Sequence, residues 1–323
     1  MKNFRICQRS LFSLSKRGFS SQQNERIQIH NLSNGIKHVE LNRPEKLNSL
    51  DMKMFTAIAD TVKSLMNDKS LRAIVLSGKG KAFCAGLDVK SIANPMEDDG
   101  VTLPSTKMKE LLKRPESYDF TNDLHLDSES IQSMYRDMEA VGNLAQDVAY
   151  LWRKIPVPVI CALQGVCFGG GLQIALGADI RLATPDCRLS VMEAKWGLIP
   201  DMAGSIFLRE LVRMDIAKDL TFTGRIVDGI EAEKLGLVTR VVDDPLQEAI
   251  QYAEMIAKKS PDSIAASKLL LQKSWVASEE NCLNLETELQ KKILMSYNQL
   301  TASARNFGLE LPYKNRKDFD KEQ

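Results

Sequence analysis

The chain has 323 residues, 44% of them apolar and 26% charged, the composition of an ordinary globular protein with room for one large α/β domain or two smaller ones. Its 43 basic and 42 acidic residues nearly cancel, so bulk charge gives no reason to expect nucleic acid as a partner. No apolar run reaches the length of a membrane span, so no membrane partner is expected either.

The first segment stands apart. Residues 1–23, MKNFRICQRSLFSLSKRGFSSQQ, carry Lys2, Arg5, Arg9, Lys16 and Arg17 and no acid, and Phe4, Cys7, Leu11 and Leu14 share one helical face. An amphipathic, Arg- and Ser-rich, acid-free start reads as a mitochondrial transit peptide, with a basic tail as the alternative reading. The expected compartment is the mitochondrial matrix. Lys321-Glu322-Gln323 offers no peroxisomal address.

Next come RIQIH and GIKHVEL, joined through Asn34-Gly35, which predicts a β-hairpin with His30 and His38 at solvent-facing positions. A helix follows LNRPEKLNSL, because Leu50, Met54, Ile58, Val62 and Leu65 recur at three- and four-residue steps. RAIVLSG reads as a buried strand and GKGKAFCAGLDVKS as a loop. Residues 95–127 are rich in Pro, Asp and Lys and read as an excursion inserted into a core spanning 24–250. Helical periodicity resumes from Ile131 to Arg153. VPVICALQG is then a strand, VCFGGG a glycine turn, LQIALGAD a helix and IRLATP another strand. Strands alternating with helices predict an α/β fold with a mostly parallel sheet and helices outside it. The region 251–323 is helical, after a helix that starts near Pro245. Further helices start near Pro261 and run from about Glu279 to Tyr297. The last is apolar at Leu283, Leu285, Leu289, Ile293 and Leu294, a face for this chain's own core or for a neighbouring subunit.

The six cysteines (Cys7, Cys84, Cys161, Cys167, Cys187 and Cys282) form no CxxC pair, and three scattered histidines complete no zinc spacing. No metal and no cofactor is expected, and the thiols read as buried residues of a reducing compartment. Cys84 and Cys167 have no partner histidine to activate them, and no Ser/His/Asp set can be assembled.

Gly169-Gly170-Gly171 follows a buried strand and opens a helix, so its free backbone N–H groups suit a negatively charged or developing-negative oxygen. A tight packing turn is the other reading. Ile174 occupies the last glycine place of a dinucleotide fingerprint, and neither a Walker A loop nor G-x-S-x-G occurs. AFCAGLDVK also puts a glycine straight after a strand-like segment. Two such loops can each aim one N–H at the same oxygen, forming an oxyanion hole.

With these residues in place, LNRPEKLNSL, AFCAGLDVKS, QGVCFGGGLQIALGADI, EAKWGLIPDMAGS and FTGRIVDGIEAEKLGLV resemble, in order, the landmarks of the crotonase (enoyl-CoA hydratase/isomerase) superfamily. The resemblance spreads over residues 27 to about 245. It implies a spiral of ββα repeats with a helical C-terminal region, an acyl-CoA thioester substrate, and assembly as a homotrimer or homohexamer. By position it implies an oxyanion hole from the backbone N–H groups of Leu87 and Gly170. Substrate-binding residues would be Gly86, Leu87, Asp88, Val89, Lys90 and Gly171, with Lys90 near the CoA phosphates or merely solvated.

Hydratases of that family carry a glutamate where this chain has Gln173 and a second at Glu193. An amide can orient a water but has no titrating form near neutral pH. Where hydratases usually have glycine, this chain has Asp201, and the combination of Glu193 with Asp201 resembles the Δ3,5-Δ2,4-dienoyl-CoA isomerases. Those enzymes have aspartate at the place of Gln173. The resemblance thus implies an isomerase of fatty acid β-oxidation with Glu193, Asp201 and Gln173 as catalytic residues. The alternatives are an enoyl-CoA hydratase in which Gln173 positions the water, a Δ3-Δ2-enoyl-CoA isomerase run by Glu193 alone, and a non-catalytic acyl-CoA binder. Asp201 also has a local reading as the N-cap of the helix predicted over MAGSIFLRELV.

Overall fold

The structure, a computed structural model, describes residues 26–89, 91, 110–113 and 142–319. The predicted transit peptide, most of the excursion at 95–127 and the first part of the helical run from Ile131 lie outside these residues.

The hairpin forms as the sequence predicts. β1 (Ile27–Asn31) runs antiparallel to β2 (Ile36–Leu41), and Asn34 and Gly35 take φ values of 57° and 73° between them, a left-handed pair that Asn and Gly tolerate best. β2 pairs in parallel with β3 (Ala73–Gly78). β4 (Val159–Leu163), β5 (Val166–Phe168), β6 (Ile180–Ala183), β7 (Arg188–Ser190) and β8 (Arg240–Val241) follow. The main sheet has the order β1-β2-β3-β4-β6-β8 and is parallel from β2 onward, while β5 and β7 form a small parallel sheet of their own.

Helices cover both faces, and the sequence of β3 shows why. Its residues are all buried, as expected of a parallel strand with no solvent face. Ile74 and Leu76 point into one core with Phe55 and Ile58 of α1 (Met52–Met66) and with Val148 and Trp152 of α2 (Leu144–Lys154). Ala73 and Val75 point the other way. α3 (Gly170–Leu176), α4 (Gly204–Leu211), α5 (Met214–Thr223) and α6 (Gly229–Leu235) come next in the chain. On the second face α7 (Pro245–Ala257) lays Ala249, Ala253 and Ala257 against Val75, Ile160 and Leu182. Small residues four apart bring that helix close to the sheet. Within the excursion, Leu111 is buried in the main core while Glu110, Leu112 and Lys113 beside it are exposed, so one side chain anchors this short piece.

Two expectations change. His38 is buried, at 8% exposure, with Nε2 2.7 Å from Ser77 Oγ of β3. Burial, reinforced by neighbouring His30, takes its pKa down to about 4. A hairpin rule assumes a free outer face, but here β3 packs alongside β2. The predicted helix from Glu279 to Tyr297 is two helices, α9 (Glu279–Ile293) after α8 (Pro261–Ser274), and α10 (Tyr297–Asn306). Met295 takes φ 58° and Ser296 Oγ accepts the Gln299 N–H at 3.4 Å, so a new N-cap ends the run that hydrophobic periodicity joins.

α8 is tied to the sheet by a buried lysine. Lys268 Nζ donates to Asp179 Oδ2 at 2.7 Å, Val157 O at 2.9 Å and Trp152 O at 3.3 Å. Asp179 Oδ2 also accepts the Val159 N–H at 2.7 Å. Replacing one partner of such a pair strands the other, so Lys268→Met is expected to cost about 3 kcal/mol in urea-induced unfolding.

Candidate active site

The site is built by zipping two glycine turns together. Cys84 N–H donates to Val166 O at 3.1 Å and Phe168 N–H to Cys84 O at 3.0 Å, so residues around Cys84 run parallel to β5. Each segment then enters its turn, at Gly86 (φ 87°) and Gly169 (φ 50°). A Cβ on Gly86 would lie 2.7 Å from Phe168 O and 3.7 Å from Gly170 N, so the turns touch. Leu50 clamps the first turn, its N–H donating to Gly86 O at 2.8 Å and its carbonyl accepting from Asp88 N–H at 2.9 Å. Between those bonds the Leu87 N–H has no backbone acceptor among the described residues. Gly170 is the first residue of α3 and its N–H has no intrahelical acceptor. The two donors expected from the sequence therefore sit on abutting turns at the edge of one cleft.

That cleft spans about 830 Å³ of space, part of it open to solvent. Gly86, Leu87, Gly170, Glu193 and Asp201 border it, with an apolar surround that includes Phe55, Val89, Phe168, Met192 and Met202. Leu112 and Trp196, the latter 56% exposed, also border it.

Glu193 opens a short 3₁₀ turn, Glu193–Trp196, that ends on Gly197 at φ 68°. The residue is 8% exposed. Its Oε1 accepts from Gln173 Nε2 at 2.6 Å, while its buried Oε2 has no hydrogen-bond partner among the described residues. Burial raises its pKa, the Gln173 hydrogen bond pulls the other way, and the charge of Asp201 pushes it up again. Burial also raises the pKa of half-buried Asp201. An apolar cleft thus holds two carboxyl groups whose proton affinities move towards neutral pH.

The local N-cap reading of Asp201 does not hold. α4 begins at Gly204, its cap position is Ala203 at φ 64°, and no side chain of that segment caps it. The cap comes from Gln173, whose Oε1 accepts the N–H groups of Met202 and Gly204 at 2.9 Å each. Its partner lies 31 residues away in sequence, beyond any local rule, and it leaves the Asp201 carboxyl to the cleft. Gln173 itself is 2% exposed and does not border the cleft.

Other expected site residues separate in the same way. Gly171 does not border the cleft. A Cβ there would meet Cys84 O at 2.6 Å, so its smallness serves packing rather than substrate contact. Asp88 also turns away, to Arg43 Nη2 at 2.8 Å. Lys90 lies outside the described residues. Burial pushes the Cys84 thiol up to about 12 and raises Cys167 well above its ordinary value, so neither supplies a thiolate. Arg43 is a residue that motif reasoning missed. Its buried guanidinium bonds Ser49 O at 3.0 Å as well as Asp88, which fixes the turn carrying the Leu87 N–H. The signal was a lone arginine beside a proline, which no local rule singles out. Met202 is another, since its Sδ would lie 2.7 Å from a Cβ on Gly170.

Known proteins resemble this chain in sequence and in fold. A family model described as enoyl-CoA hydratase/isomerase matches residues 36–306. The mouse protein "Delta(3,5)-Delta(2,4)-dienoyl-CoA isomerase, mitochondrial" is 29% identical over 283 residues, covering 83% of this chain and 77% of its own. Human "Methylglutaconyl-CoA hydratase, mitochondrial" is 27% identical over 286 residues, covering 83% and 73%. The crystal structure of an enoyl-CoA hydratase from Bacillus anthracis superposes with a TM-score of 0.71 at 23% identity, over 90% of this chain and 99% of that one, a likeness of fold.

Proposed function

The chain belongs to the enoyl-CoA hydratase/isomerase family, and we propose that within it the chain is a double-bond isomerase converting 3,5-dienoyl-CoA to 2,4-dienoyl-CoA. One observation carries the reading: Glu193 and Asp201, both with raised pKa, border one apolar cleft that Leu87 and Gly170 also border, their N–H groups without a backbone acceptor among the described residues.

The chemistry requires such a set. Moving both double bonds removes a proton from C2 and delivers one to C6, carbons four bonds apart, so a single carboxyl serves both poorly. Asp201 takes the C2 proton and Glu193 supplies the C6 proton. The thioester oxygen, negative as charge spreads along the chain, accepts from the Leu87 and Gly170 N–H groups. Apolar walls raise both proton affinities, which makes the Asp201 carboxylate a stronger base and favours the protonated form of Glu193 that the C6 step needs. A hydratase needs two carboxyls on one water, whereas Gln173 is turned away from the cleft and bears no titrating proton.

The test is a comparison of three substrates. Purified protein is expected to raise ultraviolet absorbance on a 3,5-dienoyl-CoA as conjugation extends to the thioester. Faster loss of absorbance on a 2-enoyl-CoA would make it a hydratase. Turnover of a 3-enoyl-CoA alone would make it a Δ3-Δ2 isomerase.

We place the enzyme in the mitochondrial matrix, on the basic acid-free segment 1–23 and the word mitochondrial in the names of the mouse and human relatives. Residues 24–250 then form the crotonase core and 251–323 the helical C-terminal region. A homotrimer or homohexamer is supported by exposed apolar side chains in this region, including Trp275, Met295, Leu309 and the 86%-exposed Phe307. Light scattering on the purified protein and imaging of a fluorescent fusion, with peroxisomes as the contrary outcome, check these two assignments.

A further inference from the structure

We propose that Gln173 is a positioning residue that confines the working proton of Glu193 to Oε2 and bars position 173 from the cleft, an inference that rests on Glu193 being the proton-carrying group. The orientation of the amide follows from its neighbours. Met202 and Gly204 both present N–H groups at 2.9 Å, and only the amide oxygen can accept them. The –NH₂ end must therefore face Glu193, and it donates to Oε1 at 2.6 Å. An –NH₂ group has no acceptor site, so Oε1 stays unprotonated in that bond whatever the charge of the carboxyl. Any proton that Glu193 gains or gives is carried by Oε2, the oxygen without a partner among the described residues.

The same frame decides what a glutamate at 173 would do. One of its oxygens would still be claimed by Met202 and Gly204, and the other would face Glu193 Oε1. Two carboxyls in that contact must share a proton between them. The new carboxyl would be spent on Glu193 instead of reaching a water in the cleft. Composition alone suggests that Gln173→Glu would restore a hydratase; the geometry says that it does not.

Gln173→Glu and Gln173→Met are compared with wild type by infrared titration of the protonated-carboxyl C=O band, with Glu193→Gln identifying the band that belongs to Glu193. Gln173→Glu is expected to move the midpoint of that band up by about one pH unit or more, because a like-charged partner replaces a donor to the anion. Gln173→Met is expected to move it up less, through loss of the donor alone. Melting temperature should fall for Gln173→Met, which leaves two N–H groups without an acceptor, and hold for Gln173→Glu. On whichever of the three thioesters the wild type turns over, Gln173→Glu is expected to lose at least about tenfold in kcat with KM nearly unchanged. It should gain no hydration of a 2-enoyl-CoA. Hydration by Gln173→Glu faster than by wild type would overturn the inference, because the side chain would then reach the cleft. An unmoved Glu193 band in both variants would also overturn it, reducing Gln173 to a helix cap. The titration needs no turnover, so a wild type inactive on 3,5-dienoyl-CoA would refute the isomerase reading while leaving this one to be judged by the band.

Discussion

Glu193→Gln is expected to lose about 10²- to 10⁴-fold in kcat/KM while gaining melting temperature over wild type as pH rises. The two effects share a cause. The buried carboxyl has a folded-state pKa raised above its ordinary value of 4.5. Any stability it contributes is therefore present below pH 4.5 and is lost as pH rises through the raised value. Above the raised value the folded protein bears the cost of a charge in an apolar cleft, which the amide variant does not. The variant keeps an oxygen to accept from Gln173 Nε2, so the local frame survives. Calorimetry across a pH series checks this: the advantage of Glu193→Gln should be absent at low pH and grow as pH rises. In the same series, wild-type kcat/KM should follow a bell whose acid limb lies above the ordinary carboxylate range, since both Glu193 and Asp201 are raised. Asp201→Asn should lose activity to a comparable extent. An unchanged rate in Asp201→Asn would refute the two-carboxyl mechanism and leave Glu193 working alone.

Gly86→Ala is expected to lower kcat by about 10²- to 10³-fold, the typical loss for one oxyanion-hole donor. Gly86 stands at φ 87°, and a Cβ there would lie 2.7 Å from the Phe168 carbonyl oxygen. Both conditions exclude a side chain, and relief requires the two turns to separate. Separation moves the Leu87 N–H relative to the Gly170 N–H, so transition-state stabilisation is lost beyond any loss of substrate affinity. Leu87→Ala is the control: it trims a side chain and leaves the N–H in place. Steady-state kinetics on both variants, beside their melting curves, separates the two cases. A rate for Gly86→Ala no lower than that of Leu87→Ala would show that the hole does not depend on the contact between turns.

Much of this was legible in the sequence, and what was not has a common physical origin. The hairpin at Asn34-Gly35, the apolar stripe of α1 and the two glycine turns are local signals, carried by φ preferences and periodicity, and the chain folds them as they read. Glu193 and Asp201 were found by residue type and spacing, and they do meet in one cleft. The misreadings involve partners distant in sequence. The cap of α4 is a glutamine on α3, not the aspartate three residues ahead of the helix. His38 is buried by a strand that begins 35 residues later. Asp88, placed by pattern at the substrate, is held by Arg43. Polar groups satisfied across the fold look, in sequence, like polar groups free to act.

The oxyanion donors, finally, are spaced by backbone hydrogen bonds between the Cys84 segment and β5 and by the contact of two turns. Their separation is set by the main chain, with the Arg43 side chain bracing the turn that carries the Leu87 N–H. Under random mutagenesis with selection for turnover, position 87 should drift, while Gly86 and Gly171, where a Cβ meets backbone atoms, stay fixed. The cleft wall can then be rewritten for a different acyl group without rebuilding the device that stabilises its charge. A scaffold arranged this way separates what it recognises from how it reacts, and a new specificity needs changes only in the former.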